Sequence, residues 1–196
     1  MKIDKKDLPL DQFIEFALYD KVNGYYMKKN PFGKEGDFIT APNITRLFSE
    51  IIAIWVLTFW KSIGSPRKFN LLELGAGNGE MMKVIIETLK NFPDCFNNCN
   101  FQIHEKSEFL KKQQQFNLKS EKMTWIDNIK INNLFPTIYL ANEFFDALPI
   151  KQFFKRKEGW VERFVNFKDE KNAEFKEQLI DIKNIEQNLK FEVSKD

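Results

Sequence analysis

Three glycines at alternate positions, Gly75, Gly77 and Gly79, stand between Glu73 and Glu80 in the stretch LELGAGNGE, with Ala76 as the small residue between the first two. Glycine removes side chains from a strand-to-helix turn, so a ligand can approach bare backbone. A dinucleotide-binding turn reads G-x-G-x-x-G and offers a helix N-terminus to a pyrophosphate. The spacing here is G-x-G-x-G, and acids fence it on both sides. Each carboxylate would oppose a nearby phosphate by about 1 kcal/mol or more. An acid before the turn suits a ligand that is cationic there. S-adenosylmethionine (SAM) meets that description, with an ammonium, a sulfonium and no phosphate. The open alternative is a glycine turn that holds no ligand.

Further along, Glu105 closes a second apolar run, where an α/β nucleotide site places an acid on ribose hydroxyls; it also reads as a solvated acid opening the Lys/Gln-rich segment after it. Asp127, after a third run, is a candidate acceptor for an adenine amine. The stretch Asn142-Glu-Phe-Phe-Asp146 follows a fourth, and ligands of open α/β sheets sit beyond the carboxyl ends of strands. Cys95 and Cys99 form a C-x3-C pair with His104 as the single histidine, a poor metal set, and read as two reduced loop thiols. No metal is expected, and His104 reads as structural. Neither a G-x-S-x-G elbow nor a G-x-x-x-x-G-K-[ST] phosphate loop occurs.

The elements that must position these residues follow from periodicity. A chain of 196 residues, 43% apolar and 30% charged, is one globular domain by length. A net charge of +2, with lysines interleaved among acids, argues against nucleic acid. The start MKIDKKDLPLDQF lacks a signal or transit pattern, and the most apolar run, Ile51 to Trp60, is about half the length of a membrane helix, so the reading is cytoplasmic, with no membrane insertion. Residues 8–20 read as a helix. From 43 to 61, Ile44, Leu47, Phe48, Ile51, Ile52, Trp55 and Phe59 repeat at helical spacing, predicting a face packed on something large. Strands at 69–74, 101–104, 123–126 and 137–141 alternate with helices, one stopped by Pro93 and one a surface helix over 107–118 with a solvated charged face, giving a parallel α/β sheet. Residues 150–167 read as an antiparallel hairpin, and the charged tail shows a weak helical period at Phe175, Leu179, Ile182 and Leu189. The expected organisation is an N-terminal helical and lid region (1–66), a Rossmann-like core (67–149) and a hairpin extension with tail (150–196).

Taken together, PFGKEGDFITAP, LLELGAGNGE, EKSEFLKKQQ, ANEFFDALPIKQF and GWVERFV resemble, in order, the MidA-type SAM-dependent methyltransferases over roughly residues 8 to 167. That family is known in mitochondria for arginine methyltransferases that assist respiratory complex I assembly, and it has bacterial relatives. The resemblance implies a class I methyltransferase fold, incomplete on its C-terminal side in this shorter chain. It implies SAM as cofactor and a protein arginine as acceptor, in a bacterial cytoplasm or, in a eukaryote, the mitochondrial matrix. Gly75, Gly77 and Gly79 would position the methionine portion. The loop from Gly33 to Thr40 resembles the family's lid, with Gly33 and Gly36 as its flexible points. Glu143 and Asp146, with Asn142, would grip the guanidinium and accept its proton, and Phe144 and Phe145 would flank its plane. Asn43 and Ser49 depart from the family's usual glutamate and glycine. The competing readings are a SAM-binding assembly factor without catalysis, a small-molecule methyltransferase, and a nicotinamide-dependent oxidoreductase.

Overall fold

The computed structural model describes residues 7–28, 31–33, 36–119, 123–129, 134–169, 172–181 and 183. A strand, β1 (Asp7–Pro9), leads into α1 (Leu10–Tyr19), and the short helices α2 (Tyr25–Lys28) and α3 (Ala41–Ile44) precede the long α4 (Arg46–Ser62). Strands and helices then alternate through β2 (Phe69–Leu74), α5 (Glu80–Leu89), α6 (Pro93–Asn98), β3 (Cys99–His104), α7 (Glu108–Leu118), β4 (Met123–Ile126) and β5 (Thr137–Leu140). A 3-10 turn at Phe145–Ala147 is followed by β6 (Phe153–Arg156), β7 (Gly159–Phe167) and β8 (Ala173–Leu179). The chain divides into two units, Leu18–Ala147 and Met1–Ala17 with Leu148–Asp196. The segment expected to form one N-terminal region is therefore shared between them, because β1 pairs with β7.

The larger unit is built on a parallel sheet of order β4-β3-β2-β5. β2 is buried at all six positions, as a central parallel strand must be. Its Phe69 and Leu71 join Phe101, Ile103, Ile138 and Leu140 in one core with α4 and α5. Each such side chain taken from water contributes roughly 1.5–3 kcal/mol. The opposite sheet face carries a polar ladder, Asn100 Nδ2 to Asn70 Oδ1 and Asn70 Nδ2 to Thr137 Oγ1, both 3.1 Å, in an open groove of about 740 Å³. Successive strands run outward from β2 to β4, and β5 then returns to the other side of β2. That reversal opens a crevice beyond the carboxyl ends of β2 and β5, where the glycine turn and the Asn142–Asp146 segment emerge.

Three expectations are corrected and one, the solvated charged face of α7, is extended. The α4 face that buries is Ser49, Ala53, Val56, Leu57 and Trp60; of the expected stripe Phe48 and Ile52 do pack against the core, while Ile44, Leu47, Ile51, Trp55 and Phe59 are exposed. Small Ser49 and Ala53 let α4 lie close to α5, which the bulkier stripe would prevent. Cys95 and Cys99 are not loop thiols: Pro93 opens α6 near its first position, and both sulfurs lie in the core, where burial pushes Cys95 up to about 11. α7 is not merely solvated, since Leu110, Gln114 and Leu118 are buried. The tail at Phe175 and Leu179 forms β8 because the free edge of β7 outweighs a weak helical period; Ile182 and Leu189 lie outside the described residues.

In the smaller unit β7 is central, pairing β6 along Gly159–Glu162 and β1 along Phe164–Asn166 on one edge, and β8 along Val161–Phe167 on the other. Arg163 lies between the rings of Phe154 (4.5 Å) and Phe175 (4.8 Å), and Arg156 forks onto Glu177 at 2.6 and 2.9 Å.

Candidate functional site

Bare backbone forms the floor of the crevice. Gly75 and Gly77 both have positive φ (65° and 55°), which a side chain would strain. A Cβ on Gly75 would meet Phe144 Cδ2 at 2.7 Å, and one on Gly77 would meet Phe32 Cδ2 at 3.1 Å. Two aromatic rings thus rest on the glycine turn. Around it lies a cleft of about 400 Å³, counted out to its open mouth, lined by Thr40, Asn43, Glu73, Gly75, Ala76, Gly77, Asn78, Asn142 and Glu143 among others. The structure therefore brings together Glu73, Gly75, Ala76, Gly77, Thr40, Asn142 and Glu143. Gly33, Gly36, Gly79, Glu105, Asp127 and Asp146 do not line this cleft.

Glu73 is the unusual acid. It sits in the buried strand β2, and its Oε2 has no hydrogen-bond partner among the described residues. Burial pushes its carboxyl up to about 8, with Glu105 adding repulsion and the backbone of Met82 opposing the shift. Glu105, just past β3, is better served: Ser107 N donates to Oε1 (2.9 Å) and Gln114 Nε2 to Oε2 (3.0 Å). Burial still raises it above the usual carboxylate range. Asp127, just past β4, has a side chain 80% exposed and paired with Lys111 Nζ at 3.0 Å. His104 Nδ1 lies 3.1 Å from the carbonyl of Ile126.

The loop before α3 is tied to the glycine turn by side chains. Asn78 Nδ2 donates to Asn43 Oδ1 (2.7 Å), Asn43 Nδ2 donates to Thr40 Oγ1 (2.9 Å), and Asn78 Oδ1 accepts from Glu80 N (3.2 Å). Asn43, a departure from the family's usual residue, thus makes the bridge. Gly33 and Gly36 lie in a closed turn, Gly36 N to Gly33 O and Gly33 N to Phe38 O, both 3.0 Å.

Across the mouth, Glu143 has φ 50°, a left-handed conformation that costs a non-glycine residue roughly 1 kcal/mol and is common at functional sites. Glu143 and Asp146 are exposed. Phe144 is committed to Gly75, and Phe145, 66% exposed, meets it edge-on at 5.5 Å and 73°, so the two rings do not form parallel walls. Sequence reasoning passed over Tyr26, whose ring stacks on Phe32 (6.0 Å, 11°). Burial raises its hydroxyl pKa, and Asp146, Glu105 and Glu143 raise it further, so three carboxylates share its surroundings. Also unforeseen was Gln114. Among the described residues no group of three or more His, Cys, Asp or Glu is placed to hold a metal ion, and no helix is long and apolar enough to cross a membrane.

Residues 51–194 match the family model described as "Putative S-adenosyl-L-methionine-dependent methyltransferase". The chain belongs to that methyltransferase family. Among relatives, the human mitochondrial protein arginine methyltransferase NDUFAF7 is 30% identical over 179 residues, covering 79% of this chain and 41% of the human protein. Its Xenopus tropicalis counterpart is 28% identical, covering 81% and 43%, and the Drosophila melanogaster homolog 31%, covering 73% and 38%. A crystal structure from Burkholderia thailandensis, bound to S-adenosyl-homocysteine, aligns with TM-score 0.75 at 24% identity over 89% of this chain and 46% of that one. That likeness confirms the Rossmann-like methyltransferase fold. This methyltransferase-family chain spans about two fifths of the length of the curated relatives it matches.

Proposed function

We propose that this chain binds SAM in the crevice between β2 and β5 and serves as a protein-arginine N-methyltransferase in respiratory complex I assembly. The observation that carries the reading is Glu73, a buried carboxylate with an unpartnered oxygen at a cleft floored by glycine backbone. Such a cleft fits a cationic amino acid end and disfavours a pyrophosphate. Family membership supports the cofactor. The names of the relatives support arginine as acceptor and a mitochondrial setting. The MidA-type resemblance supports the link to complex I.

When bound, SAM supplies a methyl group already activated on a sulfonium, so the chain's task is placement. Gly75, Ala76 and Gly77 would bring backbone against the methionine end, with Gly79 completing their turn, and Glu73 would receive the ammonium. Glu105 accepts the ribose hydroxyls, with Asp127 as a rim acceptor for the adenine amine. Thr40 lines the cleft, and Gly33 and Gly36 would serve the lid that precedes it. Glu143 and Asp146 grip the guanidinium through charge-assisted hydrogen bonds, Asn142 orients their turn, and one carboxylate takes the proton the nitrogen gives up. A second reading, a SAM-binding assembly factor that transfers no methyl, draws on β5, which stands at the edge of its sheet among the described residues.

Calorimetric titration with SAM, with NADH in parallel, tests the first step: saturable SAM binding without an NADH response is expected. Incubation with complex I proteins and SAM, read by mass spectrometry for methylarginine, separates the enzyme from the assembly factor. Binding of NADH alone would return the site to the dinucleotide class.

A further inference from the structure

Gln114 is fully buried, and its amide uses every hydrogen-bonding position facing the site. Nε2 donates to the carbonyl of Gly77 (2.9 Å) and to Glu105 Oε2 (3.0 Å), while Oε1 accepts from Trp125 Nε1 (3.0 Å). An amide nitrogen carries two hydrogens, and both are committed. Flipping the amide would set its oxygen against a carbonyl and a carboxylate, and its nitrogen against an indole N–H. All three partners therefore fix one orientation. Asn117 Nδ2, one turn on, donates to the carbonyl of Asn78 (3.0 Å), so α7 holds two successive carbonyls of the glycine turn. Gln114 Cγ also lies 3.4 Å from where a Cβ on Gly79 would stand.

We infer that Gln114 is a positioning residue of the nucleotide end of the site, setting the Glu105 carboxylate and the Gly77 backbone in register through a single amide. The inference rests on the reading of Glu105 as the ribose partner. Ser107 N, Gln114 Nε2 and the Lys106 backbone N–H all donate to the Glu105 carboxylate, which with about four acceptor positions keeps capacity for a ligand hydroxyl. Trp125 acts one step further out by locking the amide. Nothing in this network touches the methyl group, so Gln114 works through Glu105 and the turn.

A pH signature distinguishes this role from packing. Glu105 is faced by Glu73 from β2, by its neighbours His104 and Lys106, by Tyr26 from α2, and by Ser107 and Gln114 on the α7 side. The donated hydrogen bonds favour its ionised form, so loss of the Gln114 donor lets the neutral form persist to higher pH.

The test is calorimetric binding of S-adenosyl-homocysteine to the whole chain at pH 6.0, 7.5 and 8.5, for the parent, Gln114→Met, Glu105→Gln and the double variant. Gln114→Met should weaken binding about tenfold at pH 7.5, more at pH 6.0 and less at pH 8.5. With Glu105→Gln the pH dependence of that loss should vanish, and the two losses should be less than additive. Trp125→Phe keeps an aromatic side chain but loses the N–H together with part of the indole; about a threefold loss with the same pH trend is expected, which keeps the test decisive if Gln114→Met fails to fold. Unchanged affinity, or a pH-independent and additive loss, would overturn the positioning role. No binding by the parent would overturn the cofactor reading itself, a result distinct from parent binding that the variants leave untouched.

Discussion

The two sides of the crevice are built differently. The glycine-turn side is braced on every flank: β2 is fully buried, α7 holds the carbonyls of Gly77 and Asn78, and Asn43 ties Thr40 to Asn78. The Asn142–Asp146 side leaves Glu143, Phe145 and Asp146 exposed, with Phe144 on Gly75 as its packed anchor. A small cofactor makes the same contacts at every turnover, so a preformed site lowers the ordering cost of binding. A protein acceptor brings its own surface, and carboxylates that must receive a guanidinium gain from staying hydrated until it arrives. On the proposed function, the difference would separate a cofactor half that can be disabled by backbone crowding from an acceptor half that can be disabled by charge alone.

The largest effect belongs to the braced side. Gly77→Val adds branched bulk at φ 55°, against Phe32, where the turn cannot yield without losing its bond to Gln114. SAM affinity should fall by about 100-fold or more while the far-ultraviolet circular dichroism is unchanged. Affinity within threefold of the parent would remove the turn from the cofactor site.

Next comes the exposed side. Glu143→Gln keeps the shape and removes the charge, so SAM affinity should stay within about twofold while methyl transfer drops by about 30-fold or more. An equal loss in both measurements would mean that the two halves are not separable, and undiminished turnover would free Glu143 of any acceptor role.

How much of this was legible in the sequence depends on what each residue's neighbours do. The parallel sheet and the glycine turn came through because β2, β3, β4 and β5 carry their apolar runs locally and the turn residues serve backbone geometry; the strand order did not. The buried face of α4 did not, because that helix is apolar nearly all round and the face that buries includes the small Ser49 and Ala53, which carry no apolar signal of their own. Gln114 carried a faint signal: it lies four residues from both Leu110 and Leu118, on the one buried stripe of α7. A polar residue on an apolar stripe is buried with partners, and those partners, Gly77, Glu105 and Trp125, come from three separate segments that only the fold assembles. The Asn43 bridge has the same character.

A proton count sharpens the comparison further. Glu73 has a folded pKa near 8, above its ordinary value, so at neutral pH the free site holds it largely protonated. A cationic ammonium favours the carboxylate, so binding should release a proton and SAM affinity should rise between pH 6 and 7.5, on the order of tenfold. Glu73→Gln should flatten that rise. For the free protein, a buried carboxyl with raised pKa costs stability progressively as pH climbs from the unfolded value toward 8. Glu73→Gln should therefore raise Tm by on the order of 5 °C at pH 8 and far less at pH 4.5. A SAM affinity independent of pH would place the ammonium elsewhere.

The smallest effect is expected where the rim meets solvent. Asp127 is 80% exposed and already paired with Lys111, so its carboxylate is hydrated and screened. Asp127→Asn should change SAM affinity by no more than about threefold, since an adenine amine at an exposed acceptor gains little over water. A tenfold loss would show that Asp127 leaves Lys111 when the nucleotide arrives. The braced half would then extend through β4 to the adenine, and Trp125, two residues before Asp127 and bonded to Gln114, would connect the adenine rim to the ribose carboxylate through one continuous hydrogen-bonded path.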